Sequence, residues 1–130
     1  MENAFYSCPT LSLLHIVGKR WTIPIMEVLY FQHASMQFNA IQSALNGITP
    51  KNLSGSLKEL SDAQVIKKTA RKRNGVLHTD YSLTKRGAYV MEFVRSAKEL
   101  GISIYGMDAS CASSRCYECL EIQPSRKAKR

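Results

Sequence analysis

The four cysteines are the most reactive side chains in this sequence of 130 residues. Three of them, Cys111, Cys116 and Cys119, follow the pattern Cys-x4-Cys-x2-Cys near the C-terminus. Thiols at this spacing can form a disulfide or redox pair, can bind zinc or an iron–sulfur cluster, or can be inert. A metal site would need a fourth ligand from Cys8 or from a second chain, because no histidine lies nearby. We expect no cofactor, with zinc or a cluster as the alternative.

Cys8 stands apart from the other cysteines, immediately before Pro9 at a predicted helix start. A thiol at a helix N-cap lies at the positive end of the helix dipole, which lowers its pKa and makes it more reactive. Cys8 is therefore a redox candidate. The alternative is a small apolar residue that is simply buried.

The sequence does not contain a recognisable catalytic constellation. His15, His33 and His78 are dispersed, and no glycine-rich phosphate loop, Ser/His/Asp arrangement or paired acidic site is present. We therefore predict that the protein is not an enzyme.

Positive charge is the unusual feature of the composition. Lys and Arg number 18 against 10 Asp and Glu, a net charge of +8, which favours an anionic partner such as nucleic acid or a membrane surface. The apolar runs are shorter than the roughly 20 residues of a membrane span, and the N-terminus lacks a signal-peptide pattern. We expect a cytoplasmic protein, and no membrane partner.

The elements that position these residues follow from turn and capping signals. Helices are predicted from Pro9 to Gly18, from Trp21 to Gln32, over 38–45 and over 50–62. Two strands, 65–72 and 77–83, flank an Asn-Gly turn, and Thr84 caps a last helix that reaches Ile104. This order predicts a mainly α fold with a small β-hairpin, the winged helix-turn-helix.

The helix over 50–62 is the candidate recognition helix. Leu53, Leu57 and Leu60 form one apolar stripe, and the remaining surface is small, polar and basic. Short polar side chains can reach base edges in a major groove. The predicted DNA contacts of this helix are Thr49, Lys51, Asn52, Ser54, Gly55, Ser56 and Lys58. A solvated amphipathic helix without DNA contact is the alternative.

The hairpin carries five cations, Lys67, Lys68, Arg71, Lys72 and Arg73, with no acid before Asp80. Such a cluster repels itself unless phosphates neutralise it, as in a wing that lies on DNA. The predicted wing contacts are Lys68, Arg71, Lys72, Arg73 and Asn74. The alternative is a hairpin edge that is charged for solubility.

The last helix has a wide apolar face that a single winged helix cannot bury. Its members are Tyr89, Val90, Phe93, Val94, Ala97, Leu100 and Ile104. This predicts a homodimer, the alternative being a helix that folds back on its own domain. We expect residues 8–107 to form the DNA-binding domain with its dimerisation helices, and 108–130 a cysteine-containing basic tail.

Spaced motifs between Cys8 and Gly87 make the chain similar to the HxlR-type winged-helix regulators, relatives of the MarR class. They are Cys8-Pro9, Gly18-Lys19-Arg20-Trp21-Thr22, Phe38-Asn39, Ile48-Thr49-Pro50-Lys51 with Leu53, Leu57, Glu59 and Leu60, and Tyr81-Ser82-Leu83-Thr84 with Gly87. Gln37 departs from the family, which usually has arginine there. The resemblance implies a dimeric DNA-binding regulator, and some members of the family sense oxidants through a cysteine near position 8.

The sequence thus predicts a transcriptional regulator that binds specific duplex DNA as a homodimer. Two alternatives stay open: a redox- or metal-responsive sensor whose cysteines control DNA binding, and an architectural winged helix without sequence preference. The sequence does not identify a small-molecule effector.

Overall fold

Five helices and three strands make up the part of the chain that the computed structural model describes, residues 8–32 and 35–106. The fold is mainly helical with one small antiparallel sheet, as predicted. The helices described in these ranges are too short or too polar to cross a membrane. The elements are α1 Pro9–Val17, α2 Thr22–Gln32, β1 Met36–Gln37, α3 Phe38–Ala44, α4 Pro50–Asp62, β2 Ile66–Arg73, β3 Val76–Leu83 and α5 Lys85–Tyr105.

Prolines and threonines fix the helix starts at the predicted positions. Pro9 and Pro50 lie in the first turns of α1 and α4, where the missing N–H removes no helical hydrogen bond. The backbone N–H of Asn52 donates to Oγ1 of Thr49 at 3.1 Å, and this caps α4. Thr84 caps α5 in the same way, since it accepts from the N–H of Gly87 at 3.0 Å. Each cap contributes about 1 kcal/mol to stability.

The predicted hairpin is present, and its turn has the left-handed backbone that the sequence requires. Asn74 has a φ of 53° and Gly75 a φ of 77°. Two successive positive φ angles give the type I′ turn, whose twist matches that of antiparallel strands. In the resulting register Arg73 pairs with Val76, and Ile66 pairs with Leu83 at the other end.

The sheet has one strand more than the sequence predicts. β1 pairs with β3 in antiparallel orientation, so that the strand order is β1-β3-β2. Met36 lies opposite Tyr81, and Gln37 lies opposite Asp80. Gln37 is also the N-cap residue of α3, so β1 connects the hairpin directly to the helix-turn-helix.

α2 lies at the centre of the core and is buried on most of its surface rather than along one stripe. Ile25, Met26 and Val28 have no exposed surface, and even Glu27 is only 5% exposed. The predicted leucines of α4 belong to the same hydrophobic core, and α5 adds a short apolar face. The buried residues of α4 and α5 are Leu53, Leu57, Leu60, Gly87, Val90, Met91 and Val94.

The wide apolar face predicted for α5 is only partly buried within the protomer. Val90 and Val94 are buried, whereas Tyr89, Leu100 and Ile104 are about 60% exposed (61%, 60% and 62%). Residues 89, 93, 100 and 104 are spaced by four, seven and four, so they share one side of the helix. The protomer therefore leaves one side of this apolar face exposed, and we call it the outer stripe of α5.

Candidate nucleic-acid interface

α3 and α4 form a helix-turn-helix joined by residues 45–49. Gly47 takes a positive φ of 102° in this turn, and Ile48 is buried beneath it. The side-chain amide of Gln42 donates to the carbonyl oxygen of Ile48 at 3.3 Å, which links α3 to the turn. These contacts fix the direction in which α4 leaves the turn.

The first two turns of α4 expose the polar side chains that the sequence assigns to DNA readout. Lys51, Asn52, Ser54 and Gly55 are all exposed, while the leucines of the opposite side are buried. A Cβ added at Gly55 would meet nothing within 4 Å, so the helix backbone is open to close approach there. Ser56 is half-buried and lies at the edge of this surface.

The acidic residues of α4 lie in its last turns, and both are paired with lysines. Lys19 Nζ contacts Glu59 Oε2 at 3.3 Å, and Lys58 Nζ contacts Asp62 Oδ2 at 3.4 Å. Both pairs are exposed and contribute little to stability. Their positions leave the N-terminal half of α4 with one cation and no acid, which suits a polyanion at that end.

The hairpin presents its cations on both faces. Strand alternation places Lys68 and Lys72 on the side of Ile66, and Lys67, Arg71 and Arg73 on the opposite side. All five are exposed. Lys67, Lys68, Lys72 and Arg73 form no ion pair within residues 8–32 and 35–106, so their charge is available to an anionic partner.

Arg71 differs from the other wing cations. Its guanidinium forms an ion pair with the carboxylate of Asp80, whose side chain is only 5% exposed. Asp80, the first acidic residue after the basic run, is therefore the partner of one of its five cations. A two-residue turn sets Arg71 opposite His78, one diagonal step from Asp80, and this register is the signal that could have revealed the pair.

Cys8 is exposed at the N-terminus of α1. A redox role requires this exposure, and the alternative of a buried apolar residue is wrong. Its side chain makes no capping hydrogen bond, yet the backbone N–H groups of the first turn favour the thiolate. The N–H of Leu11, and then that of Thr10, lower the pKa of the Cys8 thiol below its ordinary value. Cys111, Cys116 and Cys119 lie outside the described residues, so the predictions for them stay untested.

A groove of about 260 Å³ between α2 and α5 escaped prediction. Glu27 lies in it almost fully buried, and Arg95 Nη2 donates to the hydroxyl of Tyr30 at 3.4 Å. An acidic residue inside the apolar run of α2 is the signal that could have drawn attention to it. The lining consists of Glu27, Tyr30, Phe31, Met91, Val94, Arg95 and Lys98.

The comparisons with known proteins agree with this architecture. A curated relative from Methanocaldococcus jannaschii, an uncharacterized HTH-type transcriptional regulator, is 30% identical over 91 residues, which cover 66% of this chain and 76% of the relative. The chain thus resembles a helix-turn-helix regulator over most of the length of both proteins.

Solved structures extend the likeness in fold. The reduced form of the transcriptional regulator YodB from B. subtilis superimposes with a TM-score of 0.67 and 23% identity, covering 76% of this chain and 95% of that one. A MarR-family regulator from Enterococcus faecalis V583 gives 0.66 and 20%, covering 80% and 94%. The redox regulator HypR in its oxidized form gives 0.63 and 24%, covering 74% and 96%.

The family assignment comes from a match to a model of the family. Residues 16–108, from the end of α1 to just beyond α5, match the model described as HxlR-like helix-turn-helix. The match includes α2, the helix-turn-helix, the wing and α5. The protein is a helix-turn-helix transcriptional regulator, and it belongs to the HxlR-like family.

Proposed function

We propose that the protein binds specific sites on duplex DNA as a homodimer and regulates transcription from them. The observation that carries this proposal is the exposed N-terminal half of α4, which has short polar side chains, Lys51 and no acid. In this role α4 enters the major groove, and the hairpin contacts the flanking backbone or the minor groove.

The charges of the wing support the same arrangement. α4 packs against β2, so the recognition helix and the basic strand are neighbours. Lysines and arginines that have no acidic partner gain most from phosphates, because each contact releases counterions from the DNA. Lys68, Lys72, Arg73 and the adjacent turn residue Asn74 are the proposed wing contacts.

The outer stripe of α5 supports the homodimer. Tyr89, Leu100 and Ile104 are large apolar side chains exposed on one side of a 21-residue helix. A second copy that covers this stripe would place two recognition helices on half-sites about one helical turn apart. Residues 8–107 form the binding and dimerisation unit in this proposal, and 108–130 form an appended basic tail.

Replacing Asn52 by alanine is expected to lower specific binding while it leaves non-specific binding unchanged. A side-chain amide that bonds a base edge contributes roughly 1–3 kcal/mol of discrimination, a factor of about 5 to 150. The backbone N–H of Asn52, which makes the cap to Thr49, is retained in the variant. The ratio of affinities for a selected operator and a scrambled duplex, measured by fluorescence anisotropy, checks this.

The matched control is Asn39→Ala, the same change at an exposed position of α3. It should alter the affinities for the operator and the scrambled duplex by the same factor, or not at all. An operator-to-scrambled ratio in Asn52→Ala equal to that of the wild type would remove Asn52 from base readout. A wild-type ratio near one would instead favour an architectural protein without sequence preference.

Control of DNA binding by Cys8 is a second candidate function. The exposed position of the thiol and its lowered pKa favour it, and HypR, a redox regulator, shares the fold. A lowered pKa increases the thiolate fraction at neutral pH, and the thiolate is the species that oxidants and electrophiles attack. Oxidation at the start of α1 would then alter operator affinity.

Cys8 is expected to react faster with iodoacetamide at pH 7 in the folded protein than in the urea-unfolded chain, because only the folded chain holds α1 in place. Quantitative mass spectrometry of the Cys8 peptide gives both rates. Cys8→Ser should also abolish any effect of hydrogen peroxide, which oxidises a single thiolate to a sulfenic acid, on operator binding. A variant with Cys111, Cys116 and Cys119 replaced by serine should keep that effect. Equal alkylation rates, or peroxide sensitivity that follows the tail cysteines, would contradict a role for Cys8.

A further inference from the structure

Asp80 is a buried carboxylate in the middle strand of the sheet. Its Oδ2 atom is inaccessible to solvent and pairs with Nη2 of Arg71, and the described residues offer that oxygen no hydrogen bond of good geometry. A buried carboxylate without a cationic partner is strongly unfavourable. The fold of the hairpin therefore depends on the ion pair between Arg71 of β2 and Asp80 of β3.

The same face of the sheet carries a second polar contact. Gln37 of β1 lies directly opposite Asp80, and its Nε2 is 3.1 Å from Nδ1 of His78 on β3. Arg71 thus ties β2 to β3, and Gln37 ties β1 to β3. Because Gln37 is also the N-cap of α3, these contacts connect the basic hairpin with the helix-turn-helix.

We propose that Gln37, Arg71, His78 and Asp80 form a wing-positioning cluster that sets the orientation of the hairpin relative to α3 and α4. Arg71 is then a positioning residue and not a phosphate contact, which revises its predicted role in the wing. Its positive charge is offset by Asp80, whereas Arg73, two residues further along the same face, keeps its charge for DNA. The effect on DNA affinity rests on the proposed DNA-binding function, but the effect on the hairpin does not.

Hydrogen exchange tests the cluster without DNA. In Arg71→Ala we expect the amides of residues 70–80 to exchange about tenfold faster or more, because the buried carboxylate of Asp80 is left without its cationic partner. Arg73→Ala is the matched control and should exchange like the wild type. Arg71→Lys should restore protection, because an ammonium group can still pair with Asp80.

The salt dependence of DNA binding separates positioning from phosphate contact. A lost phosphate contact reduces the slope of log affinity against log salt by about 0.9 in magnitude. We expect Arg73→Ala to show this reduction, and Arg71→Ala to bind more weakly with the wild-type slope. Asp80→Asn removes a negative charge that would repel DNA, yet we expect weaker binding because the cluster is broken.

Unchanged exchange in Arg71→Ala would overturn the proposal, whether or not the protein binds DNA. So would a reduced salt slope in Arg71→Ala equal to that of Arg73→Ala, or tighter DNA binding by Asp80→Asn. Faster exchange in Arg71→Ala in a protein that binds no duplex would uphold the cluster and reject the proposed function. Arg71 is half exposed and outside the core, so its variants remain informative even if Asp80→Asn fails to fold.

Discussion

Replacing Gly87 by alanine is expected to destabilise the folded protein by about 3 kcal/mol or more, at the upper end of the range for overpacked sites. A Cβ at this position would lie 2.1 Å from the carbonyl oxygen of Val65 and 3.0 Å from Cδ2 of Leu83. The carbonyl cannot move away freely, because it accepts the backbone N–H of Thr84 at 3.1 Å. The substitution must therefore displace either α5 or the base of the wing. Urea unfolding followed by circular dichroism gives the free energy of unfolding.

Gly101→Ala is the matched control in the same helix. A Cβ there would meet nothing within 4 Å, so the variant should be more stable than the wild type by about 0.5–1 kcal/mol, the usual gain from removing glycine inside a helix. If the free energy of unfolding falls in Gly87→Ala and rises in Gly101→Ala, close packing at Gly87 and not helix propensity determines the effect of the substitution. Similar changes in stability for both would contradict the contact between α5 and Val65.

Helix boundaries were predictable because short-range chemistry sets them. Thr49 and Pro50 predict the start of α4 at its observed residue, and Asn74 with Gly75 predicts the hairpin turn. Each of these signals acts within three or four residues, through a cap, a fixed φ or a left-handed turn. These signals do not depend on how distant parts of the chain pack.

Long-range features were not predictable in the same way. β1 has only two residues, so it shows no alternation of polar and apolar side chains. Its pairing with β3 depends on how α2 and α3, which precede and follow it, are placed in the fold. The role of Gly87 comes from a carbonyl that is 22 residues away in sequence, and no local pattern encodes that distance. Helical spacing predicts the wide apolar face of α5, but which of its residues are buried within the protomer depends on how α5 packs on α2.

The candidate site shows the same division. The exposure of Lys51, Asn52 and Gly55 follows from the leucine stripe of α4, so it could be predicted from helical periodicity. Ser56 lies at the edge of that stripe, where periodicity alone does not separate exposed from half-buried positions. Predicting the ion pair of Arg71 requires the hairpin register as well as the charge pattern, because its partner Asp80 lies on the other strand of the hairpin.

Changing both Leu100 and Ile104 to glutamate is expected to convert a homodimer into monomers and to reduce operator affinity by a factor of about 10² to 10⁴. Two charges on the outer stripe of α5 would have to be buried unpaired in a dimer, which is strongly unfavourable. A monomer holds one half-site at a time, so it loses the gain in affinity that comes from linking two binding events. Sedimentation equilibrium at micromolar concentration gives the oligomeric state, and anisotropy gives the operator affinity.

The control is the double variant Glu92→Gln and Glu99→Gln, two exposed positions of α5 away from the outer stripe. It should stay dimeric and keep its operator affinity within a few-fold, with a small increase from the two lost negative charges.

The protomer of the glutamate variant should remain folded, because Leu100 and Ile104 are already more than half exposed within it. Its affinity for an isolated half-site should therefore match the wild type, and this distinguishes loss of dimerisation from loss of the recognition surface. A variant that stays dimeric would exclude the outer stripe as the interface, and a monomer with undiminished operator affinity would show that the two-fold arrangement is unnecessary for binding.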